Sequence, residues 1–472
     1  MSRSAGRPTP APPARSRGAA PPRRFVSTRG RCPPVDLAGA VFSGTAPDGG
    51  LWVPQRIDAP SAATLELLGR PDPSGAELHQ TATAMLAHLL APELDVDDVR
   101  SLVETALDFP IPLREVAPDR FALELFWGPT LAFKDIGARF MARLMEHLLD
   151  RGGAPASLRD DRPLTILVAT SGDTGSAVAH AFSGLARFEV VVLFPRGQVS
   201  EAQRRLFTTL GGNVTALEVD GAFDDCQRMV KAAFADEALQ RTRPLASANS
   251  INLARLLPQC VYHGHLRRLL AERVSERGEL VISVPSGNFG NLTAALVARR
   301  LGVRLDRLVA STNVNDVVPR YLSGGAFQPR PAVATLSNAM DVGDPSNFER
   351  IAWLFGEDDR AMRAAIEGRR FDDEETLAAI ARVRREHGYT LDPHGAVAWL
   401  GLEASLRERP GVGALLETAH PAKFAETVER ASDEAPGEAV ELPDAILRAA
   451  QATEHFETLP ADARALRARL LG

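Results

Sequence analysis

From about residue 116 onward, short and nearly uninterrupted apolar runs alternate with longer stretches whose apolar positions recur every three or four residues. Leu164-Thr165-Ile166-Leu167-Val168-Ala169 has the form of a parallel strand buried on both faces. A polar loop over 170–175 follows, then a helical pattern through about Leu185. The runs at 190–194, 214–219 and 280–284 repeat the strand signature, with helices predicted beyond Asp224 and from Leu292. This alternation predicts parallel sheets with helices on both faces. Ile136, Phe140, Met141 and Leu144 share one face of a helix opening at Lys134. Upstream, the pattern over 61–109 is helical, broken by Pro71, Pro73 and Pro92, and predicts an N-terminal helical cap. The turn-rich phrases at 27–30 and 48–54 predict a short loop laid on the body.

Composition narrows the class. A chain of 472 residues is long enough for two or three domains with sizeable cores. With 45% hydrophobic and 24% charged residues it reads as an ordinary soluble globular protein. A net charge of -6 gives no general case for nucleic acid or a membrane surface as partner. Cys32, Cys226 and Cys260 lie far apart, which argues against a disulfide scaffold or structural zinc and fits a reducing cytoplasm. No apolar run approaches the roughly 20 residues that span a bilayer. The Pro-, Ala- and Arg-rich segment 1–24 predicts a disordered tail; a transit peptide and a nucleic-acid arm are the alternatives.

Candidate chemistry begins with scarcity. Lysine occurs only at 134, 231 and 423, arginine having taken nearly every other cationic position. A guanidinium keeps its proton, whereas a buried lysine can lose one and become a nucleophile. Lys134 follows Phe126, Trp127, Leu131 and Phe133, an apolar and aromatic setting. It is either such an amine or an ordinary surface cation.

Three polar loops are the other candidates. Ser286-Gly287-Asn288-Phe289-Gly290-Asn291 lies between a strand and a helix, where backbone N–H groups can hold an anion, and it reads as an anion site or a plain turn. It matches neither the P-loop nor the dinucleotide fingerprint. Ser171-Gly172-Asp173-Thr174-Gly175 repeats the placement, and Asn249-Ser250-Ile251-Asn252 precedes a third helix; each is an anion site or a helix cap. His420 and Pro421 shape a turn, and no His/Glu spacing suits a metal.

Together these segments, with Asp48-Gly49-Gly50-Leu51, Gly128 to Asp135, Leu336 to Asp341 and Thr418 to Phe424, resemble threonine synthase, from about Phe25 to the C-terminus. That resemblance implies an α/β protein of pyridoxal-phosphate fold type II: two parallel-sheet α/β domains with helices on both faces, plus the N-terminal cap. The expected units are residues 25–115 (cap), 116–160 with 275–472 (cofactor domain carrying Lys134) and 161–274 (a smaller domain gripping substrate). It implies pyridoxal 5'-phosphate bound to Lys134, with Ser286, Gly287, Asn288, Phe289, Gly290 and Asn291 around its phosphate and Thr418 facing its ring nitrogen. Ser171, Thr174, Asn249 and Asn252 are the implied substrate ligands, the role of Asp173 being open. The implied reaction converts O-phospho-L-homoserine and water to L-threonine and phosphate in a cytoplasmic monomer or homodimer. Related lyases or dehydratases releasing 2-oxobutyrate, and an inactive anion-binding paralogue, are the alternatives.

Overall fold

A computed structural model describes residues 24–153, 158, 162–432 and 440–472. The expectation for the tail over 1–23 lies outside the described residues. Among the described residues thirteen strands form three sheets. Phe25–Ser27 (β1) and Trp52–Pro54 (β2) pair antiparallel, so the two turn-rich phrases meet as one small ribbon. Leu113–Ala117 (β3) pairs antiparallel with Arg120–Glu124 (β4). Leu164–Ala169 (β5), Phe188–Pro195 (β6), Val214–Asp220 (β7) and Leu245–Ala246 (β8) follow, then Leu280–Pro285 (β9), Arg307–Thr312 (β10), Ile366–Arg370 (β11), Val412–Glu417 (β12) and Glu457–Pro460 (β13). The larger sheet has the order β11-β10-β9-β12-β4-β3 and the smaller β13-β7-β6-β5-β8. All pairings in the smaller sheet are parallel, as are all but β3 with β4 in the larger.

The central strands β9, β10 and β12 are buried at every position, which is why β9 reads as a nearly continuous apolar run. Their alternate residues face two cores. Ile282, Val284 and Ala414 join Ile136, Phe140 and Leu292, whereas Val281, Val309 and Leu415 pack with Trp399 and Leu402 of the helix Pro393–Glu408. Burial of one such side chain is worth about 1.5–3 kcal/mol. The stretch 61–109 holds the cap helices Ala62–Gly69, Leu78–Leu90 and Val96–Ala106, two of them opening at side-chain caps from Ser61 and Asp95. Met85, Leu86, Val99 and Val103 carry them onto the larger core.

The chain crosses between sheets more often than the expected units allow. β13 adds to β7, and the helix Ala463–Leu471 packs through Leu466 against Cys226 and Met229, so the C-terminus completes the smaller sheet instead of ending in the larger one. The physical reason is that β7 would otherwise leave an unpaired edge. Likewise Leu253–Leu256 and Cys260–Leu269, expected with the smaller unit, pack on helices Lys134–Asp150 and Gly290–Arg300. β3 belongs to the larger sheet although most of it falls within the expected cap. Helix 173–182 ends at Phe182, three residues early, where Ser183 leaves helical geometry.

Candidate active site

The loop before Lys134 is shaped from within. Asp135 is buried and accepts from the Thr130 N–H at 2.8 Å and the Thr130 hydroxyl at 2.6 Å. Burial raises this carboxyl, and the Thr130 bonds oppose the rise. A Cβ at Gly128 would stand 2.5 Å from Asp135 Oδ2, so the fold needs glycine there. Leu131 takes a left-handed φ of 56°, and the loop is zipped to the segment after β12 by Phe133 N–H to Thr418 O at 2.9 Å and His420 N–H to Leu131 O at 3.0 Å.

Lys134 therefore opens its helix at a fixed place, with its side chain about 15% exposed. Its Nζ lies 3.5 Å from Asp173 Oδ2. Burial depresses the amine most; Asp173 pulls it up, while Lys423 and Arg255 push it down, for a net lowering. The expected aromatic setting holds only in part. Phe133 lies 5.9 Å from Nζ by its ring centroid, whereas Phe126 and Trp127 pack edge-on against His420 and Trp127 is 39% exposed. After burial, the nearest charged neighbours act on the amine, and they come from other segments of the chain. Lys423, from the turn Pro421–Phe424, is fully buried and reaches Asp173 Oδ1 at 2.5 Å. Asp173 is held well below the usual carboxylate range: burial works against this, and Lys423, Lys134 and Gln203 outweigh it. Removing one partner of such a buried pair costs about 3–5 kcal/mol.

The loop after β9 leaves several polar groups without partners. Phe289 adopts φ 59° and the first intrahelical bond is Thr293 N–H to Phe289 O, so the amides of Gly290, Asn291 and Leu292 precede any intrahelical acceptor. Three buried side-chain amide atoms nearby lack partners: Asn288 Oδ1, Asn291 Nδ2 and Asn347 Nδ2. Asn291 Oδ1 is held by His263 at 3.1 Å and Asn288 Nδ2 by Ser250 at 2.7 Å. Two orphaned donors beside a free helix N-terminus fit a phosphate. The Ser286 hydroxyl turns back to its own strand at Val284 O, 2.9 Å, so that side chain is not aimed at the cradle. Gly287 is required for packing, since a Cβ would meet Met340 Cα at 2.7 Å and Ala339 O at 2.9 Å. Thr418, the residue after β12, is buried, and its carbonyl accepts from the Phe133 N–H.

The loop after β5 is organised by a residue the sequence did not single out. Thr170 Oγ1 accepts from the Gly172 and Gly175 N–H groups at 2.9 and 2.8 Å. Ser171 and Thr174 stand half-buried at the start of the helix Asp173–Phe182, and Asn249 is half-buried beyond β8. Asn252 is different. Its Oδ1 caps the next helix at Ala254 N–H, 2.9 Å, and its Nδ2 holds Val41 O at 2.8 Å and Ser247 O at 3.1 Å. Both ends of that amide are engaged in structure, so Asn252 is a framework residue and not a substrate ligand. Lys423 was within reach of the scarcity argument that singled out Lys134; Gln203, Asn347 and Thr170 had no comparable signal. Among the described residues no cluster of side chains suits a metal ion, and no helix is long and apolar enough to cross a membrane.

Family models agree with this geometry. The model for threonine synthase N terminus matches residues 24–107, that for pyridoxal-phosphate dependent enzymes residues 120–415, and that for the threonine synthase C-terminal region residues 397–469. Threonine synthase of Escherichia coli K12 is 43% identical over 434 residues, 92% of this chain and 96% of its own. The crystal structure of the Escherichia coli threonine synthase superposes with a TM-score of 0.83 at 41% identity, covering 95% of this chain and 99% of that one. The pyridoxal-phosphate-bound threonine synthase of Brucella melitensis gives 0.84 at 34% identity, with the same coverage. Matching in sequence and in fold over nearly its whole length, the chain belongs to the threonine synthase family of pyridoxal-phosphate-dependent enzymes.

Proposed function

We propose that the protein converts O-phospho-L-homoserine and water to L-threonine and inorganic phosphate, with pyridoxal 5'-phosphate carried on Lys134. The observation that supports this reading is the loop after β9, where the buried Asn291 and Asn347 Nδ2 groups lack partners beside a free helix N-terminus, in a chain that also buries Lys134 3.5 Å from Asp173. In that reading the amides of Gly287 to Asn291 and the Nδ2 groups of Asn291 and Asn347 hold the cofactor phosphate. Thr418 would serve the ring nitrogen as a neutral partner, which would moderate electron withdrawal. The bound cofactor supplies an electron sink for negative charge developing at the substrate's α and β carbons.

The chain's own groups do the rest. Ser171, Thr174 and the amides opening the helix Asp173–Phe182 orient the substrate carboxylate, with Asn249 nearby. Lys134 Nζ, as a free amine, would take the substrate's α proton and then assist loss of a β proton. Phosphate departs with the electron pair of the Cγ–O bond, Cγ takes up a proton to become the methyl group, water adds its oxygen at Cβ, and the proton removed from Cα is returned there. An amine whose proton affinity is lowered by its surroundings suits such repeated transfers.

Assay of the purified holoenzyme with O-phospho-L-homoserine tests this. Threonine and phosphate are expected in equal amounts, and a product pool dominated by 2-oxobutyrate would refute it.

A further inference from the structure

The second buried lysine has a role beyond filling the core, an inference that rests on Lys134 being the reactive amine. Lys423 Nζ donates to Asp173 Oδ1 at 2.5 Å and to the Thr130 carbonyl at 2.8 Å. Gln203 Nε2 donates to the same Oδ1 at 2.8 Å. The other oxygen, Oδ2, is thereby left to Lys134 at 3.5 Å. Two features fix this arrangement. Gly172 has φ 140°, and a Cβ there would lie within 2.6–2.8 Å of the Gln203 amide, so only glycine lets Gln203 reach across. The Thr130 carbonyl is held in turn by the bonds from Thr130 to Asp135, the residue after Lys134.

The charged groups facing Lys134 come from three elements: Asp173 from its helix, Lys423 from the turn after β12, and Arg255, which is hydrogen-bonded to the Ala248 carbonyl at 2.8 Å. An uncompensated carboxylate 3.5 Å away in a buried site would lock the Lys134 ammonium. We propose that Lys423 is a positioning residue for Lys134: it pins the Asp173 carboxylate with Oδ2 toward the reactive amine and cancels that carboxylate's charge, so the amine can release its proton.

The test needs neither substrate nor turnover. The cofactor-stripped full chain is labelled with trace acylating reagent across a pH series, and the adducts at Lys134 are read peptide by peptide against exposed Lys231. Lys423→Gln is expected to raise the pH of half-maximal Lys134 labelling by about one unit, a roughly tenfold loss of reactivity near neutrality. Lys423→Arg keeps the parent midpoint, and Asp173→Asn lowers it. A folded Lys423→Gln with the parent midpoint overturns the proposal. Should Lys423→Gln fail to fold, Asp173→Asn decides: an unmoved midpoint overturns it and a lowered one supports it. Failure of the parent to form threonine would refute the proposed reaction while leaving these midpoints to be judged alone.

Discussion

The Phe133 N–H donates to the Thr418 carbonyl at 2.9 Å, so the residue before Lys134 and the residue proposed to face the cofactor ring are set in register by a single backbone bond. Distant parts of the chain meet here without any side chain mediating. Substitutions that keep this backbone contact should therefore alter chemistry without collapsing the site.

Lys134→Arg keeps a cation but removes the only group at that place able to become a free amine. The expected result is no covalent cofactor on the chain after borohydride reduction, read by mass, and no threonine formation. Steady turnover by this variant would contradict the assignment of Lys134.

Gly287→Val should weaken cofactor retention through the turn behind the loop. Its Cβ would press on Met340 Cα and the Ala339 carbonyl, which are backbone and cannot swing aside. Overpacking of this kind costs about 1–3 kcal/mol. Cofactor Kd is expected to rise about tenfold or more by absorbance titration, a tenfold change being about 1.4 kcal/mol.

Asn249→Ala and Asn252→Ala should separate. Asn252 loses a helix cap and two carbonyl contacts, so its variant is expected to lose about 1–3 kcal/mol in urea unfolding. Asn249→Ala should raise KM for substrate with stability nearly unchanged. A raised KM in a fully stable Asn252→Ala would restore Asn252 as a ligand.

Glu417 gives a pH signature. It is fully buried at the end of β12, its Oε2 lies hard against Gly395, and burial followed by Asp392 pushes its carboxyl well above the ordinary 4.5. Above pH 4.5 the unfolded chain has released this proton while the folded chain retains it. Folded stability therefore falls as pH rises, by up to about 1.4 kcal/mol per unit from this group. Glu417→Gln removes that slope, so urea unfolding of the two proteins should diverge between pH 6 and 8 in favour of the variant; parallel curves would contradict it.

Much of this was legible in the chain. Strands β5 and β9 are buried on both faces and read as apolar runs, and Lys134 stood out because arginine had displaced its competitors. What was not legible depends on long-range pairing. Glu457–Pro460 is exposed and polar, a strand only because β7 offers an edge. Asn252 looked like a ligand because an N-cap and an anion contact use the same side chain, and only the bonds to Val41 and Ser247 decide between them. Lys423 and Gln203 meet Asp173 from opposite sides of the fold, a meeting no local pattern announces.

The central claim is tested most directly by turnover of O-phospho-L-homoserine in water enriched in oxygen-18. Cleavage of the Cγ–O bond followed by addition of water at Cβ predicts one heavy oxygen in the threonine hydroxyl and none in the released phosphate. Heavy oxygen in the phosphate with homoserine as product, or 2-oxobutyrate in place of threonine, would contradict it.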